Sequence, residues 1–122
     1  MNISLSGPTN LKKFSTVTGL PPSEIEDIAR KIGVILAKSG CQLTLVFSYA
    51  GLPKIIGDSY KKEGGKLRML FTENDYDWET KPYMKNVKGA DITIKKKSWH
   101  DMLLSLVSDA DLVLCAGLSA GG

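Results

Sequence analysis

Five short runs of strand-forming residues alternate with longer polar or amphipathic stretches along this chain of 122 residues. The runs cover residues 2–6, 42–47, 66–71, 91–94 and 112–116. Strands that alternate with helices of about this length favour right-handed βαβ units and a parallel sheet. The pattern therefore predicts an α/β fold with a mostly parallel, five-stranded sheet, built as a single domain over residues 1–122.

A capping box marks the start of the clearest helix. Ser23 is followed three residues later by Glu26, a spacing at which each side chain caps the other's backbone N–H. Apolar residues then recur at helical spacing until Gly40, which ends the helix. Two further helices are predicted, one over residues 52–63 and one that begins after Ser98 as its N-cap.

Two stretches show neither helical nor strand periodicity, and we predict them as loops. Residues 9–20 are polar, and residues 72–90 are polar and aromatic. A loop as long as the second one is usually functional or without fixed structure. Four acidic residues follow the third strand: Glu73, Asp75, Asp77 and Glu79. We interpret them as a solvated loop, with a divalent-cation site or a ribose contact as the alternative.

The bulk composition excludes several classes of partner. A net charge of +3 with 24% charged residues lacks the concentrated basic face of a nucleic-acid-binding protein. No apolar run approaches the ~18 residues of a membrane span, and no signal peptide is visible. Cys41 and Cys115 are expected to be buried free thiols, without a metal or a cofactor. We expect a cytoplasmic protein that binds neither nucleic acid nor membranes.

Small and hydroxyl-bearing residues follow three of the predicted strands. Because parallel strands place their carboxyl ends at one edge, the three loops are expected to converge there. Backbone N–H groups without a Cβ nearby and short hydroxyl donors are what phosphate recognition needs. The candidate ligand-binding residues are Gly7, Pro8, Thr9, Asn10, Ser48, Gly51, Gly117, Ser119, Gly121 and Gly122. The alternative for each glycine is a tight turn between strand and helix.

No catalytic residue can be assigned from the residues themselves. The sequence contains neither G-x-x-x-x-G-K-[ST] nor a G-x-G-x-x-G after the first strand, which disfavours an ATPase or an ordinary NAD dehydrogenase. His100 is the best single titratable candidate. Its neighbour Asp101 would point about 100° away on a helix and is a poor orienting partner.

Three segments resemble the LOG-type, lysine-decarboxylase-like proteins, which belong with DNA-processing protein A to a wider Rossmann-like group. Residues 28–40 (IARKIGVILAKSG) resemble the family's A-x-x-L-G-x-x-L-A-x-x-G helix. Residues 51–53 (GLP), followed by the glycines at 64–65, resemble its G-L-M and G-G segment, and residues 108–110 (SDA) its A-D-A. The resemblance implies a three-layer Rossmann-like domain, a nucleotide pocket at the strand carboxyl ends and a homodimer.

The same resemblance implies an activity whose residues differ here. LOG enzymes cleave a cytokinin nucleoside monophosphate with an Arg on the third helix and a Glu after the glycine loop. This chain has His100 near the position of the Arg, and the Glu would fall beyond Gly122. We therefore predict binding of a nucleotide or a phosphorylated nucleotide derivative. A LOG-like phosphoribohydrolase, with Gly122 as a truncation point, and a ligand-free dimerisation module are the alternatives.

Overall fold

A single sheet organises the chain, and the computed structural model describes residues 1–73 and 81–117, with the backbone alone at Lys81. The strands are β1 (Asn2–Ser6), β2 (Gln42–Val46), β3 (Arg68–Thr72), β4 (Ile92–Lys96) and β5 (Leu112–Cys115). The helices are α1 (Leu11–Thr18), α2 (Pro22–Lys38), α3 (Gly51–Lys62), α4 (Lys81–Val87) and α5 (Trp99–Ser108).

The five strands pair in parallel in the order β4-β3-β2-β1-β5, which confirms the predicted sheet. Ser4 is aligned with Thr44 of β2 on one side and with Val113 of β5 on the other. The helices α2 and α3 pack together, whereas α5 packs against β2, β3 and β4. Because right-handed crossovers change face when the strand order reverses, α5 lies opposite α2 and α3. The result is the three-layer α/β architecture predicted above.

Close packing against α3 fixes the position of α2. Its buried residues, Ile25, Ala29, Gly33 and Leu36, share one face of the helix. A Cβ on Gly33 would lie 2.9 Å from the backbone nitrogen of Tyr60, so glycine lets the two helices approach closely. The predicted capping box is wrong, because the helix starts two residues earlier. Its N-cap is Pro21, and Ser23 lies inside the first turn.

Both stretches predicted as loops contain a short helix, which corrects the sequence interpretation. In α1, the Asn10 side chain accepts a hydrogen bond from the Lys13 backbone N–H at 3.0 Å, and Gly19 closes the helix at φ +76°. No residue of α1 is fully buried, although Leu11 and Phe14 pack against the core. In α4, Tyr83 and Val87 pack against the core from a helix of 7 residues.

Three aromatic side chains pack together beyond the carboxyl end of β2. Phe47, which is fully buried, lies 5.6 Å from both Tyr83 and Trp99, measured between ring centroids. Ser98 caps α5 as predicted, since its Oγ accepts a hydrogen bond from the Asp101 N–H at 3.1 Å.

The outer strand β5 is less covered than the sequence suggested. Cys115 is exposed and Cys41 is half-buried, so the expectation of two buried thiols is wrong. Among the described strands, β5 pairs with β1 alone, and this edge position leaves Cys115 accessible. Within the described residues, no helix is long and apolar enough to cross a membrane.

Candidate functional site

The direction in which successive strands are added to the sheet reverses at β1, so that β1 lies between β2 and β5. The chain proceeds from β1 through β2 and β3 to β4, and then returns to place β5 on the opposite side of β1. Ligands of open α/β sheets bind at such a switch point, in the crevice outside the strand carboxyl ends. In this fold that position, which we call the crevice, lies between the β1–α1 loop (residues 7–10) and Ala116 and Gly117 after β5. Ala116 N–H donates to the Ser6 carbonyl at 2.8 Å, which holds the two sides in register.

All three predicted loops converge at this edge. Leu52 N–H donates to the Pro8 carbonyl at 3.0 Å, which ties the start of α3 to the β1–α1 loop. A Cβ on Gly7 would lie 3.5 Å from the Ala116 carbonyl, and one on Gly117 would lie 3.4 Å from Pro8 Cδ. Ser48 is half-buried in the β2–α3 loop (residues 47–50). The predicted residues Ser119, Gly121 and Gly122 lie outside the described residues.

The β2–α3 side of this edge is closed by the protein itself. Gly51 has φ +58°, and a Cβ there would collide with the Thr9 carbonyl and lie 2.7 Å from the Pro8 carbonyl oxygen. The next backbone N–H, that of Leu52, is taken by Pro8, and Pro53 has none. Packing of the chain on itself therefore explains Gly51 and occupies one donor at the start of α3, the Leu52 N–H. A ligand contact of Gly51 stays a prediction.

A cluster of polar side chains reinforces the same loop; we call Tyr49, Lys54 and Asp58 the Tyr49 clasp. Tyr49 Oη donates to Asp58 Oδ1 at 2.7 Å, and Lys54 Nζ lies 2.7 Å from Asp58 Oδ2 and 5.3 Å from the centre of the Tyr49 ring. A Cβ on Gly57 would collide with the ring. Burial, followed by the hydrogen bond to Asp58 and its charge, raises the pKa of Tyr49 well above its usual range.

The β1–α1 side is open by contrast. Thr9 and Asn10 are exposed at the carboxyl end of β1, while Pro8 is buried beneath them. The first turn of α1 carries no acidic residue and contains Lys12 and Lys13, both exposed. The start of a helix with two lysines is a positive environment for an anion. Asn10 already uses its side-chain oxygen to cap α1, so its remaining amide donor is the group it offers to a ligand.

Next to this open side lies a groove of about 210 Å³, which we call the apolar groove. It is bounded by α1, the first half of α2, the start of α3 and the residues after β5. Its lining residues are Phe14, Leu20, Ile25, Ile28, Ala29, Ile32, Leu52, Ala116 and Gly117. A Cβ on Gly117, which has φ +106°, would lie 2.7 Å from the Phe14 ring. The groove therefore reaches the crevice at Gly117.

Sequence reasoning missed the groove because it missed α1. The signal was present, since Asn10 is a good N-cap and Leu11 and Phe14 are spaced by one helical turn. Both side chains are half-buried against the core.

The remaining candidates lie away from the crevice or in other contacts. His100 is exposed on α5. Glu73, the acidic residue of its cluster inside the described part, pairs with Lys95 at 2.7 Å. Across residues 1–73 and 81–117, no three His, Cys, Asp or Glu side chains are grouped to hold a metal ion.

Comparison with known proteins shows similarity in fold. No protein-family model and no curated protein matches the sequence. The molybdenum cofactor carrier protein MCP from Chlamydomonas reinhardtii has a TM-score of 0.68 at 15% identity, over 98% of this chain and 64% of that one. A second structure of the Moco carrier protein from the same organism gives 0.50 at 14% identity, over 96% and 76%. This chain thus spans 64% of the first neighbour. At such identities, the likeness establishes a Rossmann-like α/β fold.

Proposed function

We propose that the chain binds a nucleotide or a phosphorylated nucleotide derivative in the crevice between the carboxyl ends of β1 and β5. The observation that carries the proposal is the pairing of this switch point with an open, positively charged β1–α1 side. Thr9 and Asn10 supply exposed polar groups, and Lys12 and Lys13 supply charge. The phosphate lies against these residues rather than at the start of α3, where the Leu52 N–H is bonded to the Pro8 carbonyl and Pro53 has no N–H.

The fold neighbours favour binding and release over chemistry. Two solved structures with this fold are those of a protein named as a carrier of the molybdenum cofactor. In this chain α5 contains no arginine, the residue that the LOG resemblance implies on that helix, which favours binding over cleavage. A LOG-like hydrolase is the second form of the proposal, and release of free base from a bound nucleoside monophosphate distinguishes it from a carrier.

We test the proposal with two matched double variants, Lys12→Gln/Lys13→Gln at the crevice and Lys31→Gln/Lys38→Gln on α2. Both remove two exposed lysines. Calorimetry and thermal shift are measured with AMP, ADP, ATP, NAD and inorganic phosphate. The crevice variant is expected to weaken binding about tenfold, equivalent to 1.4 kcal/mol, and to reduce its salt dependence. The α2 variant retains the affinity.

Two outcomes would contradict the proposal. If none of these ligands stabilises the protein, phosphate recognition at the crevice is wrong. If both double variants weaken binding equally, the lysines act through net charge alone and the site lies elsewhere.

Exposed apolar side chains on α5 and β5 support a homodimer as part of the proposal. Leu104, Val107 and Leu112 are each more than half exposed, at 55%, 61% and 51%. Exposed apolar surface of this kind, beside a strand that pairs on one side alone among the described strands, is typical of protein interfaces. Sedimentation velocity on the protein and on a Leu104→Ser/Val107→Ser variant tests it. A monomer at all concentrations contradicts the dimer and leaves the binding site untouched.

A further inference from the structure

We propose that the ligand carries an aliphatic group and that the apolar groove receives it. This inference rests on the proposed function and names the ligand class more closely: a phosphate joined to an alkyl chain or an aliphatic substituent. The phosphate lies at Thr9, Lys12 and Lys13, and the aliphatic group extends past Gly117 towards Ile28.

The lining of the groove selects an aliphatic group over a nucleobase. The side chains that line it come from Phe, Leu, Ile and Ala, with one Gly, so they supply neither a hydrogen-bond donor nor an acceptor. A base edge placed there would lose its water without gaining partners, which is costly for polar groups. An alkyl chain has no such groups to satisfy and gains free energy for each methylene removed from water.

The size of the groove fits part of a ligand. Its volume of about 210 Å³ lies below the range of about 300–1,000 Å³ that encloses a whole drug-sized molecule. The occupant is therefore a substituent, while the remainder of the ligand lies outside the groove, over the crevice.

Continuity and charge join the groove to the phosphate position. Ala116 and Gly117 line the groove and also follow β5 at the crevice. Phe14, which forms one wall, follows directly after Lys12 and Lys13 on α1. The amino-terminal end of α1 thus supplies positive charge beside Thr9, and Phe14 of the same helix supplies one wall of the groove. A charged end next to an apolar groove is complementary to an anionic head with an aliphatic tail.

The test compares inorganic phosphate, AMP, ethyl phosphate, butyl phosphate and hexyl phosphate by calorimetry, below any concentration at which the alkyl phosphates aggregate. Affinity is expected to rise along the alkyl series by up to about fourfold per methylene, the equivalent of about 0.8 kcal/mol. The matched variants are Ile28→Ser and Ile35→Ser. Both residues are exposed isoleucines of α2, at 47% and 64%, and Ile28 lines the groove whereas Ile35 does not.

Each outcome decides between the two proposals. A smaller gain per methylene in Ile28→Ser, with Ile35→Ser unchanged, supports the inference. Binding of phosphate and AMP without any gain along the alkyl series overturns the inference and leaves the proposed function standing. Failure of every phosphate compound to bind overturns the proposed function. A change in sedimentation of Ile28→Ser with unaltered affinities overturns the inference and identifies the groove as a contact between copies.

Discussion

The β1–α1 loop and the β2–α3 loop lie side by side at the carboxyl edge of the sheet, yet one is open and the other is closed. In the β2–α3 loop, the Tyr49 clasp and Gly51 lock the chain onto itself. In the β1–α1 loop, Thr9 and Asn10 remain exposed above a buried Pro8. The closed loop thereby forms one wall beside the open one.

The comparison separates two uses of glycine that look alike in a sequence. Gly51 is required because the Pro8 and Thr9 carbonyls occupy the space of its missing Cβ. Gly7 has ordinary contacts at 3.5 Å, so its small size leaves room near the crevice instead. Glycine position alone therefore predicts which edge of the sheet is important, but not which loop faces the ligand.

The largest effect on stability is expected for Gly51→Ala, which introduces a Cβ into the closed loop. A left-handed backbone conformation costs a residue with a Cβ about 1–2 kcal/mol, and the collision with backbone atoms adds to this cost. We expect the free energy of unfolding to fall by about 3 kcal/mol or more in urea denaturation. This variant therefore reports on folding rather than on ligand contact.

Gly19→Ala is the matched control for Gly51→Ala. Gly19 has a similar φ, +76°, but nothing lies within 4 Å of its Cβ position. It should lose only about 1 kcal/mol, from the backbone conformation alone. Equal losses in the two variants would show that the closed loop yields to a methyl group, and would remove the distinction drawn between the two loops.

The Tyr49 clasp should appear in the alkaline dependence of stability. The pKa of Tyr49 is raised in the folded state, so its stabilising contribution is complete below the unfolded pKa of about 10 and is lost as the pH rises above it. The free energy of unfolding should fall by at most about 1.4 kcal/mol per pH unit. Contact with solvent lowers this value because the ring is half-buried. Urea denaturation from pH 8 to 11 measures it.

Tyr49→Phe keeps the ring over Gly57 and removes the hydroxyl that donates to Asp58. It should cost about 1 kcal/mol at pH 8 and flatten the alkaline decline relative to the original protein. Ligand affinity should stay unchanged, because the clasp lies on the closed side. A drop in affinity without a change in the alkaline slope would place Tyr49 at the ligand.

The sequence predicted the parts of the fold with strong periodicity. The five strands, α2, α3 and α5 were recognisable because their apolar residues form short runs or recur at helical spacing, although β4 and β5 contain no buried residue. The helices α1 and α4 were not, since α1 has no buried residue and α4 is 7 residues long. Such short elements are held by contacts with distant parts of the chain, and sequence spacing does not contain those contacts.

The edge of the sheet at which the site lies was predictable from the sequence, whereas the apolar groove was not. Parallel strands dictate that the loops after β1, β2 and β5 meet, so Gly7, Gly51 and Gly117 were expected together. The apolar groove joins Phe14, Ile28 and Ala116, which are far apart in the chain. Their proximity depends on the packing of α1, which no local pattern specifies.

The smallest change in stability, and the most selective effect on binding, is expected for Asn10→Asp on the open side. Asn10→Ala removes the cap of α1 and should lower the free energy of unfolding by about 1 kcal/mol, whereas Asn10→Asp keeps an oxygen acceptor and should preserve it within a few tenths. The added negative charge should nevertheless weaken binding of inorganic phosphate and AMP in calorimetry by about tenfold, or 1.4 kcal/mol. Asn10→Asp thus separates folding from binding at one position. Unchanged affinity in a fully stable Asn10→Asp protein would exclude the start of α1 as the phosphate position, and the open loop would then differ from the closed one in exposure alone.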